Sequence, residues 1–334
     1  MKPENRKFYD VTLRDGNHAL RHSLSPKFIL EYCKIADEAD IWAVEVGHGN
    51  GIGASSYLVG KSKFSDEEML TVARESLKNT KLAVHSIPGF STINKDLIPA
   101  VQLGVDIFRI ATHVTEADIS QKQIEFLVNK EKIVQGVLMM SHMIDLRGLV
   151  NQVEKMVSYG VSAVILMDSA GFFSPNDVTT RVQLLKDNFD VEIGFHAHNN
   201  LGVAISNALA AAESGASIMD GASMGLGAGA GNAQLENIVI NYNRVSGIDK
   251  SPSKFLELSS LVENTFKDKL PSTNSSSIQS GIAGVFSGYA PQVKEISNEL
   301  GLDVQTLWNE LGKRKLVAGQ ESMIREIAQD LMNL

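Results

Sequence analysis

A regular alternation of short apolar runs and amphipathic segments fills the first two-thirds of this 334-residue chain, and it constrains the fold more than any other feature. The apolar runs have the length of β-strands, and the segments between them have helical periodicity with start signals such as Ser25-Pro26. Predicted strands lie near residues 8–13, 41–47, 81–87, 105–111, 133–140, 162–168, 191–196 and 216–220. Strands that alternate with helices in this way predict an α/β fold, a (β/α)₈ TIM barrel over residues 1–250.

The alternation stops after about Gly247, and only helical periodicity continues from there. Residues 251–270 have the pattern of one helix, a serine-rich break follows at 272–277, and further helical segments extend to the C-terminus. We therefore expect a small all-helical C-terminal domain over residues 251–334, packed on the barrel.

Composition and charge disfavour several classes of partner. The formal net charge of −8 argues against binding to nucleic acid or to an anionic membrane surface. No apolar run approaches the length of a membrane span, and the first residues lack the apolar stretch of a signal peptide. Cys33 is the only cysteine, and its apolar neighbours on a helix predict a buried structural thiol. These features predict a cytoplasmic protein.

Polar and titratable side chains concentrate at the predicted carboxyl ends of strands, which form the active-site face of a barrel. The charged segment Thr12–His22 follows the first strand, and all eight histidines precede residue 199, nearly all at or just beyond a strand end. The histidines should therefore converge on one mouth. We expect four of them to support the ligands from behind or to line the pocket wall rather than to ligate a metal, namely His48, His85, His113 and His142.

The sequence His196-Ala197-His198 at the seventh strand predicts a metal site, because alternate residues of a strand point to the same face. Asp15 follows the first strand, close to the seventh across the barrel mouth, and completes a set of two imidazoles and one carboxylate. Mixed nitrogen and oxygen ligands suit Mn²⁺ best, with Mg²⁺, Co²⁺ or Zn²⁺ as alternatives. We expect no organic cofactor.

A glycine-rich run, Gly225–Asn232, follows the eighth strand. A dinucleotide-binding glycine motif belongs after the first strand of an open sheet, so this position disfavours cofactor binding. We expect the backbone of this run to approach the site closely, with Asn232 as a polar contact. Asp220 is expected to hold the loop by hydrogen bonds.

Three long motifs, Val11–His22, His196–Leu201 and Gly225–Glu236, together resemble the 4-hydroxy-2-oxovalerate aldolases, class II pyruvate aldolases of the HMG-CoA-lyase-like superfamily. The resemblance covers nearly the whole chain and includes residues 45–49, 111–118, 139–143, 283–285 and 317–321. It implies a barrel with a helical communication domain, a Mn²⁺-type metal, and cleavage of 4-hydroxy-2-oxopentanoate to pyruvate and acetaldehyde.

The resemblance also implies roles for single residues. Asp15, His196 and His198 match the family's metal ligands. Arg14 matches the arginine that binds the 2-oxo acid and stabilises the enolate, and His18 matches the general base. The substrate would then contact Arg14, Asp15, Ser169, His196 and Phe286. We expect an oligomer that works beside an acylating aldehyde dehydrogenase, which receives the aldehyde through a channel.

One departure from the family pattern concerns the aldehyde half of the substrate. The family has a tyrosine that faces the substrate in an Ala-Gly-Val-Tyr motif, whereas this chain has Phe286 after Ala283-Gly284-Val285. Phenylalanine keeps the ring but has no hydroxyl with which to donate a hydrogen bond. Tyr289, one helical turn further on, is a candidate substitute for that hydroxyl.

Two other functions share parts of this pattern. A Claisen-type enzyme that condenses acyl-CoA with a 2-oxo acid, like isopropylmalate synthase, would also have the Arg14-Asp15 and His-x-His elements. Such synthases usually carry an acidic residue and glutamine where this chain has Asn17-His18. A non-catalytic partner subunit of an aldehyde dehydrogenase would tolerate Phe286 but would not explain an intact site.

Overall fold

The computed structural model describes residues 6–249, 251–317, 320 and 322–333. Within them, eight parallel strands form a closed barrel in which each strand pairs with the next and the eighth pairs with the first. The strands are β1 Lys7–Asp10, β2 Ala43–Glu45, β3 Lys81–Ser86, β4 Ile107–His113, β5 Ile133–Met139, β6 Ala163–Asp168, β7 Glu192–Ala197 and β8 Ile218–Gly221. The predicted TIM barrel is therefore confirmed.

Helices connect the strands and cover the outside of the barrel. Those of the barrel region are α1 Gly16–Ala19, α2 Pro26–Ala36, α3 Asp66–Ser76, α4 Ile98–Gln102, α5 Gln121–Val128, α6 Leu146–Ser158, α7 Pro175–Asn188, α8 Ala204–Glu213 and α9 Leu235–Ser246. The C-terminal helices are α10 Ser253–Phe266, α11 Ser275–Ala283, α12 Ala290–Leu300, α13 Val304–Lys313 and α14 Met323–Met332. Short turns of 3₁₀-helix lie at Ala117–Ser120, Ser141–Met143, Ser223–Gly225, Lys267–Lys269 and Ser287–Tyr289, and a π-turn lies at Ile93–Leu97.

The first strand ends at Asp10, earlier than the predicted Leu13. The reason is local: the Asp10 carboxylate accepts hydrogen bonds from the backbone nitrogen of Thr12 at 2.8 Å and from its hydroxyl at 2.5 Å. The chain then turns, and the backbone nitrogen of Asp15 donates to the carbonyl of Val11 at 2.8 Å. Arg14 and Asp15 therefore lie on a tight turn above the barrel rather than on the strand itself.

The interior of the barrel contains small side chains and one buried cation. Ala43, Ala83 and Ala163 point inward with no exposed surface. The space beside them accommodates the fully buried Arg109 of β4, whose guanidinium carbon lies 3.3 Å from the centre of the Tyr9 ring. An arginine at the centre of a barrel requires anionic partners, and these connect it to the site described below.

The C-terminal helices divide between two cores. Phe255, Leu258 and Val262 of α10 belong to the same buried cluster as the helices around the barrel. A separate cluster begins near Val285 and includes Trp308, which is fully buried. We propose that the barrel unit extends through α10 and that the helical domain begins after it, later than residue 250.

Some predictions fall outside the described residues. These include Met1–Asn5, as well as Ala318, Gly319 and Glu321 of the C-terminal motif that resembles the aldolases. Across the part of the chain that is described, no helix is long and apolar enough to cross a membrane.

Candidate active site

Asp15, His196 and His198 come together at the carboxyl end of the barrel. Their ligand atoms all lie within 4.8 Å of one another, and each side chain is at least 96% buried. β7 carries His196, and the chain stays extended to His198, which forms an isolated bridge with Asn232. The predicted convergence of these residues is therefore confirmed.

The donor set fits a divalent cation. Within the described chain, Nε2 of His196 and Nδ1 of His198 are buried without a hydrogen-bond partner. Burial lowers the pKa of His198 to about 4, so its imidazole is neutral and able to ligate. Burial alone would raise the pKa of Asp15, but the adjacent Arg14 guanidinium holds it well below its usual range. Two imidazoles and one carboxylate leave coordination positions open for water or a chelating substrate.

Arg14 is fixed on one side and open on the other. Its Nε donates to Oε1 of Glu45 at 2.6 Å, and its Nη1 donates to the Asp15 carboxylate and to the carbonyl of Gly49. Nη2 is buried and has no hydrogen-bond partner among the residues described. A buried guanidinium with a free donor beside a cavity is suited to bind an anionic or carbonyl oxygen.

His18 lies on α1, one turn beyond Asp15, and its ring packs against the backbone of Gly49. A β-carbon at position 49 would lie 2.5 Å from that ring, so only glycine permits this approach. Burial lowers the pKa of His18, while the charge of Asp15 partly opposes the shift. The imidazole is therefore neutral near pH 7, as a general base requires.

A cavity of about 380 Å³ opens beside these groups. Its wall includes Arg14, Asp15, His18, Ser169, His198 and Phe286. The Ser169 hydroxyl oxygen accepts a hydrogen bond from the backbone nitrogen of Met140 at 3.1 Å, which fixes its position. Apolar side chains, among them Ile87, Met139 and Met167, form much of the remaining wall.

Phe286 brings the C-terminal domain into the site. Its ring centre lies 6.2 Å from that of His18 and 6.1 Å from that of His198. Tyr289 does not supply the missing hydroxyl, because it is 97% buried and its hydroxyl donates to the carbonyl of Val317 at 2.7 Å. The suggestion that Tyr289 substitutes for the family tyrosine is therefore wrong.

Asp220 has a different role from the predicted one. It does not hold the glycine-rich loop. Its carboxylate accepts two hydrogen bonds from Arg109 and lies 3.1 Å from Nδ1 of His196. The sequence signal that was available is Arg109 itself, a charged residue between the apolar Phe108 and Ile110 of β4.

The glycine-rich run does approach the site closely. A β-carbon on Gly227 would lie 2.9 Å from Oδ1 of Asp15 and 2.3 Å from Nδ2 of Asn232. Asn232 donates from Nδ2 to Oδ1 of Asp15 at 3.1 Å, as the expected polar contact. The carboxylate of Asp15 is thus oriented from both sides, by Arg14 and by Asn232.

The remaining histidines divide into two groups. His85 and His113 line the cavity, and the pKa of the fully buried His85 falls to about 3 through burial and the charge of Arg14. His48 stacks on His22 with a centroid distance of 3.6 Å, and His142 contacts the carbonyl of Gly284 at 3.0 Å through Nε2.

Comparison with known families and structures agrees with this geometry. The model of the HMGL-like family matches residues 5–263, and that of the DmpG-like communication domain matches residues 271–333. The carboxyl transferase domain of Rhizobium etli pyruvate carboxylase has the same fold, with a TM-score of 0.82 at 16% identity over 98% of this chain and 60% of that chain. Fold and site together define a lyase barrel of the HMGL-like type that carries a helical communication domain.

Closer relatives define the family. The 4-hydroxy-2-oxovalerate aldolase of Pectobacterium atrosepticum is 48% identical over 96% of this chain and 94% of its own length. That of Spirochaeta aurantia is also 48% identical, over 96% of this chain and 95% of its own length. The chain belongs to the 4-hydroxy-2-oxovalerate aldolase family and is a carbon–carbon lyase.

Proposed function

We propose that this enzyme cleaves a 4-hydroxy-2-oxo acid of the 4-hydroxy-2-oxopentanoate type to pyruvate and an aldehyde, with a divalent metal bound by Asp15, His196 and His198. One observation carries the proposal: Asp15 and His198 of the ligand cluster, Arg14 with its free donor, and His18 all line a single cavity. The curated relatives carry the name of this activity.

Mn²⁺ is the metal that we propose, because the ligand set mixes imidazole nitrogen with carboxylate oxygen. Mg²⁺, Co²⁺ and Zn²⁺ are the alternatives. When bound, such an ion supplies Lewis-acid polarisation of the 2-oxo group.

Arg14 binds and stabilises the 2-oxo acid half. Its free Nη2 donates to an oxygen of the substrate, and its positive charge lies where negative charge develops as the enolate forms. Glu45 and the carbonyl of Gly49 hold the guanidinium in place before the substrate arrives. Little reorganisation is then required during the reaction.

His18 starts the bond cleavage. Its neutral ring accepts the proton of the C4 hydroxyl, and the electrons of the C3–C4 bond move into the 2-oxo half as C4 becomes the aldehyde carbonyl. The resulting enolate then takes up a proton at C3 and leaves as pyruvate. The ring packs against the backbone of Gly49, which holds it beside the cavity.

In this proposal, Ser169 and Phe286 contact opposite halves of the substrate. Ser169 offers its hydroxyl to the polar 2-oxo acid half, whereas Phe286 provides an apolar surface beside His18, where the aldehyde half is formed. Without a hydroxyl on that ring, the size and stereochemistry of the aldehyde half differ from the family pattern.

We also propose an acylating aldehyde dehydrogenase as the partner that takes up the aldehyde. The match of residues 271–333 to the DmpG-like communication domain supports it. A cytoplasmic location is in keeping with Cys33, whose buried thiol is unpaired.

The test is a substrate series. Metal-stripped enzyme is reconstituted with Mn²⁺ and offered 4-hydroxy-2-oxo acids of increasing chain length, and pyruvate is measured with lactate dehydrogenase. We expect pyruvate and aldehyde in equal amounts from at least one substrate, with loss of activity in Asp15→Asn. Asp106→Asn is the matched control, since its Arg74 pair lies at the opposite end of the barrel.

Failure of every substrate to release pyruvate would contradict the proposal. Release of free CoA from an acyl-CoA in the presence of a 2-oxo acid would instead favour a Claisen-type condensing enzyme.

A further inference from the structure

A chain of three fully buried residues connects the barrel core to the metal cluster. Arg109 of β4 donates from Nη2 to Oδ1 of Asp220 at 2.9 Å, and from Nη1 to the other carboxylate oxygen, Oδ2. Oδ2 of Asp220 also lies 3.1 Å from Nδ1 of His196. None of the three side chains is more than 1% exposed.

The chemistry of this chain fixes where the proton of His196 resides. A carboxylate paired with a guanidinium is ionised and only accepts hydrogen bonds, so Nδ1 of His196 must be the donor. A neutral imidazole has one N–H, and Nε2 therefore carries the lone pair. Nε2 is the nitrogen that has no partner within the described residues, and it belongs to the cluster with Asp15 and His198.

Arg109 is itself held on several sides. Its Nε donates to Oε1 of Gln135 at 2.8 Å, and its guanidinium carbon lies 3.3 Å from the centre of the Tyr9 ring. Glu45 approaches Nε at 3.9 Å and also binds Arg14. These contacts hold the guanidinium in a fixed position inside the barrel.

We propose that Asp220, oriented by Arg109, is a positioning residue that sets the tautomer and direction of His196 and thereby the metal affinity of the site. The inference rests on the proposed function, because it takes Asp15, His196 and His198 to be the metal ligands. Hydrogen-bond partners behind a metal-ligating histidine typically contribute about 10–100-fold to metal affinity.

The variant Asp220→Asn removes the negative charge behind His196 and therefore tests this positioning role. Arg109 donates to both carboxylate oxygens, and an asparagine offers only one oxygen and one NH₂ group. An amide oxygen at the Oδ2 position can still accept from Nη1 of Arg109 and from Nδ1 of His196, while the NH₂ group then opposes Nη2 of Arg109. The amide lacks the negative charge that favours the Nδ1–H tautomer and strengthens Nε2 as a ligand. We expect Mn²⁺ affinity, measured by titration calorimetry on the full chain, to fall by about 10–100-fold.

The second readout is the tautomer of His196 in the metal-free enzyme, measured by ¹⁵N NMR with labelled histidine and assigned with His196→Asn. Wild-type enzyme should show a protonated Nδ1 and an unprotonated Nε2, and Asp220→Asn should show a smaller share of this tautomer. The matched control is Asp106→Asn, which disrupts an Arg–Asp pair without contact to a metal ligand and should keep wild-type affinity and tautomer.

Either of two results would overturn the inference: wild-type His196 protonated at Nε2, or a folded Asp220→Asn that binds Mn²⁺ as tightly as wild type. If Asp220→Asn does not fold, the wild-type tautomer alone decides. Neither the Mn²⁺ affinity nor the His196 tautomer depends on turnover. An enzyme that releases no pyruvate would therefore contradict the proposed function but not this inference. Failure of wild type to bind Mn²⁺ or another divalent ion would contradict both.

Discussion

The ring of Phe286, in the C-terminal domain, meets the ring of His18, in the first barrel loop, edge to face with their centres 6.2 Å apart. The proposed general base is therefore covered by a residue from a different structural unit. The centre of the same ring lies 6.1 Å from that of His198, so it spans the side of the cavity between His18 and the proposed metal ligands. The helical domain thus contributes directly to the wall of the site.

Phe286→Tyr should raise kcat/KM for 4-hydroxy-2-oxopentanoate about fivefold. A hydroxyl on this ring would add one hydrogen bond near the reacting C4 oxygen, and such a bond contributes about 1 kcal/mol. Steady-state kinetics of pyruvate release measures the effect. Phe172→Tyr, a matched change on a ring that stacks on His142 and is not part of the cavity wall, should leave kcat/KM unchanged. An unchanged kcat/KM in Phe286→Tyr would mean that the aldehyde half lies elsewhere.

His18→Asn should lower kcat by about 10²–10⁴-fold, the usual contribution of a general base. Mn²⁺ affinity should stay within about twofold of wild type, because His18 is not a proposed metal ligand. Loss of a contact that supports a metal ligand typically lowers the affinity by about 10–100-fold. Rapid-quench or steady-state kinetics, combined with calorimetry, separates the two effects. Turnover that survives the substitution would show that another group removes the C4 proton.

The barrel was predictable from the sequence because a short apolar run marks every strand. Each predicted strand overlaps an observed one, since buried parallel strands carry continuous apolar runs that hydropathy detects. The end of β1 was not predictable, because it depends on hydrogen bonds between Asp10 and Thr12 within an apolar segment. That turn is what places Arg14 and Asp15 above the barrel mouth.

The meeting of His196 and His198 was predictable from their spacing, and that of Asp15 with them from its place after the first strand. The pairing of Arg109 with Asp220 was not predicted from the sequence, because the two residues are 111 positions apart and meet only across the closed barrel. Sequence periodicity reports which face is buried but not which buried polar groups pair. The burial of Tyr289 in the helical core likewise depends on tertiary packing.

Arg109→Met should lower the free energy of unfolding by about 3–5 kcal/mol, because it leaves the Asp220 carboxylate buried without its cation. Urea titration followed by circular dichroism measures the change. The double substitution Arg109→Met with Asp220→Asn should recover part of the loss, since no uncompensated charge remains. A single variant as stable as wild type would contradict the proposed importance of this pair.

His142→Gln should reduce the acid sensitivity of the enzyme. Burial lowers the pKa of His142 to about 4, whereas an unfolded histidine titrates near about 6.5. The unfolded chain therefore binds more protons between these values, and stability is lost as the pH falls from about 6.5 towards about 4. Glutamine keeps an N–H donor for the carbonyl of Gly284 but does not titrate.

Urea titrations at about pH 7 and about pH 5 should show a decrease in unfolding free energy that is about 2 kcal/mol smaller in His142→Gln than in wild type. Equal decreases would show that His142 is as easily protonated in the folded state as in the unfolded chain.

The most direct test of the central claim is deuterium exchange into the methyl group of pyruvate, which reports enolate formation at this site without any aldehyde. Pyruvate is incubated in D₂O with metal-stripped or Mn²⁺-reconstituted enzyme, and deuterium content is measured by mass spectrometry. We predict rapid incorporation with reconstituted wild type and background incorporation with the metal-stripped enzyme or with Arg14→Ala. Background incorporation with reconstituted wild type would contradict the account.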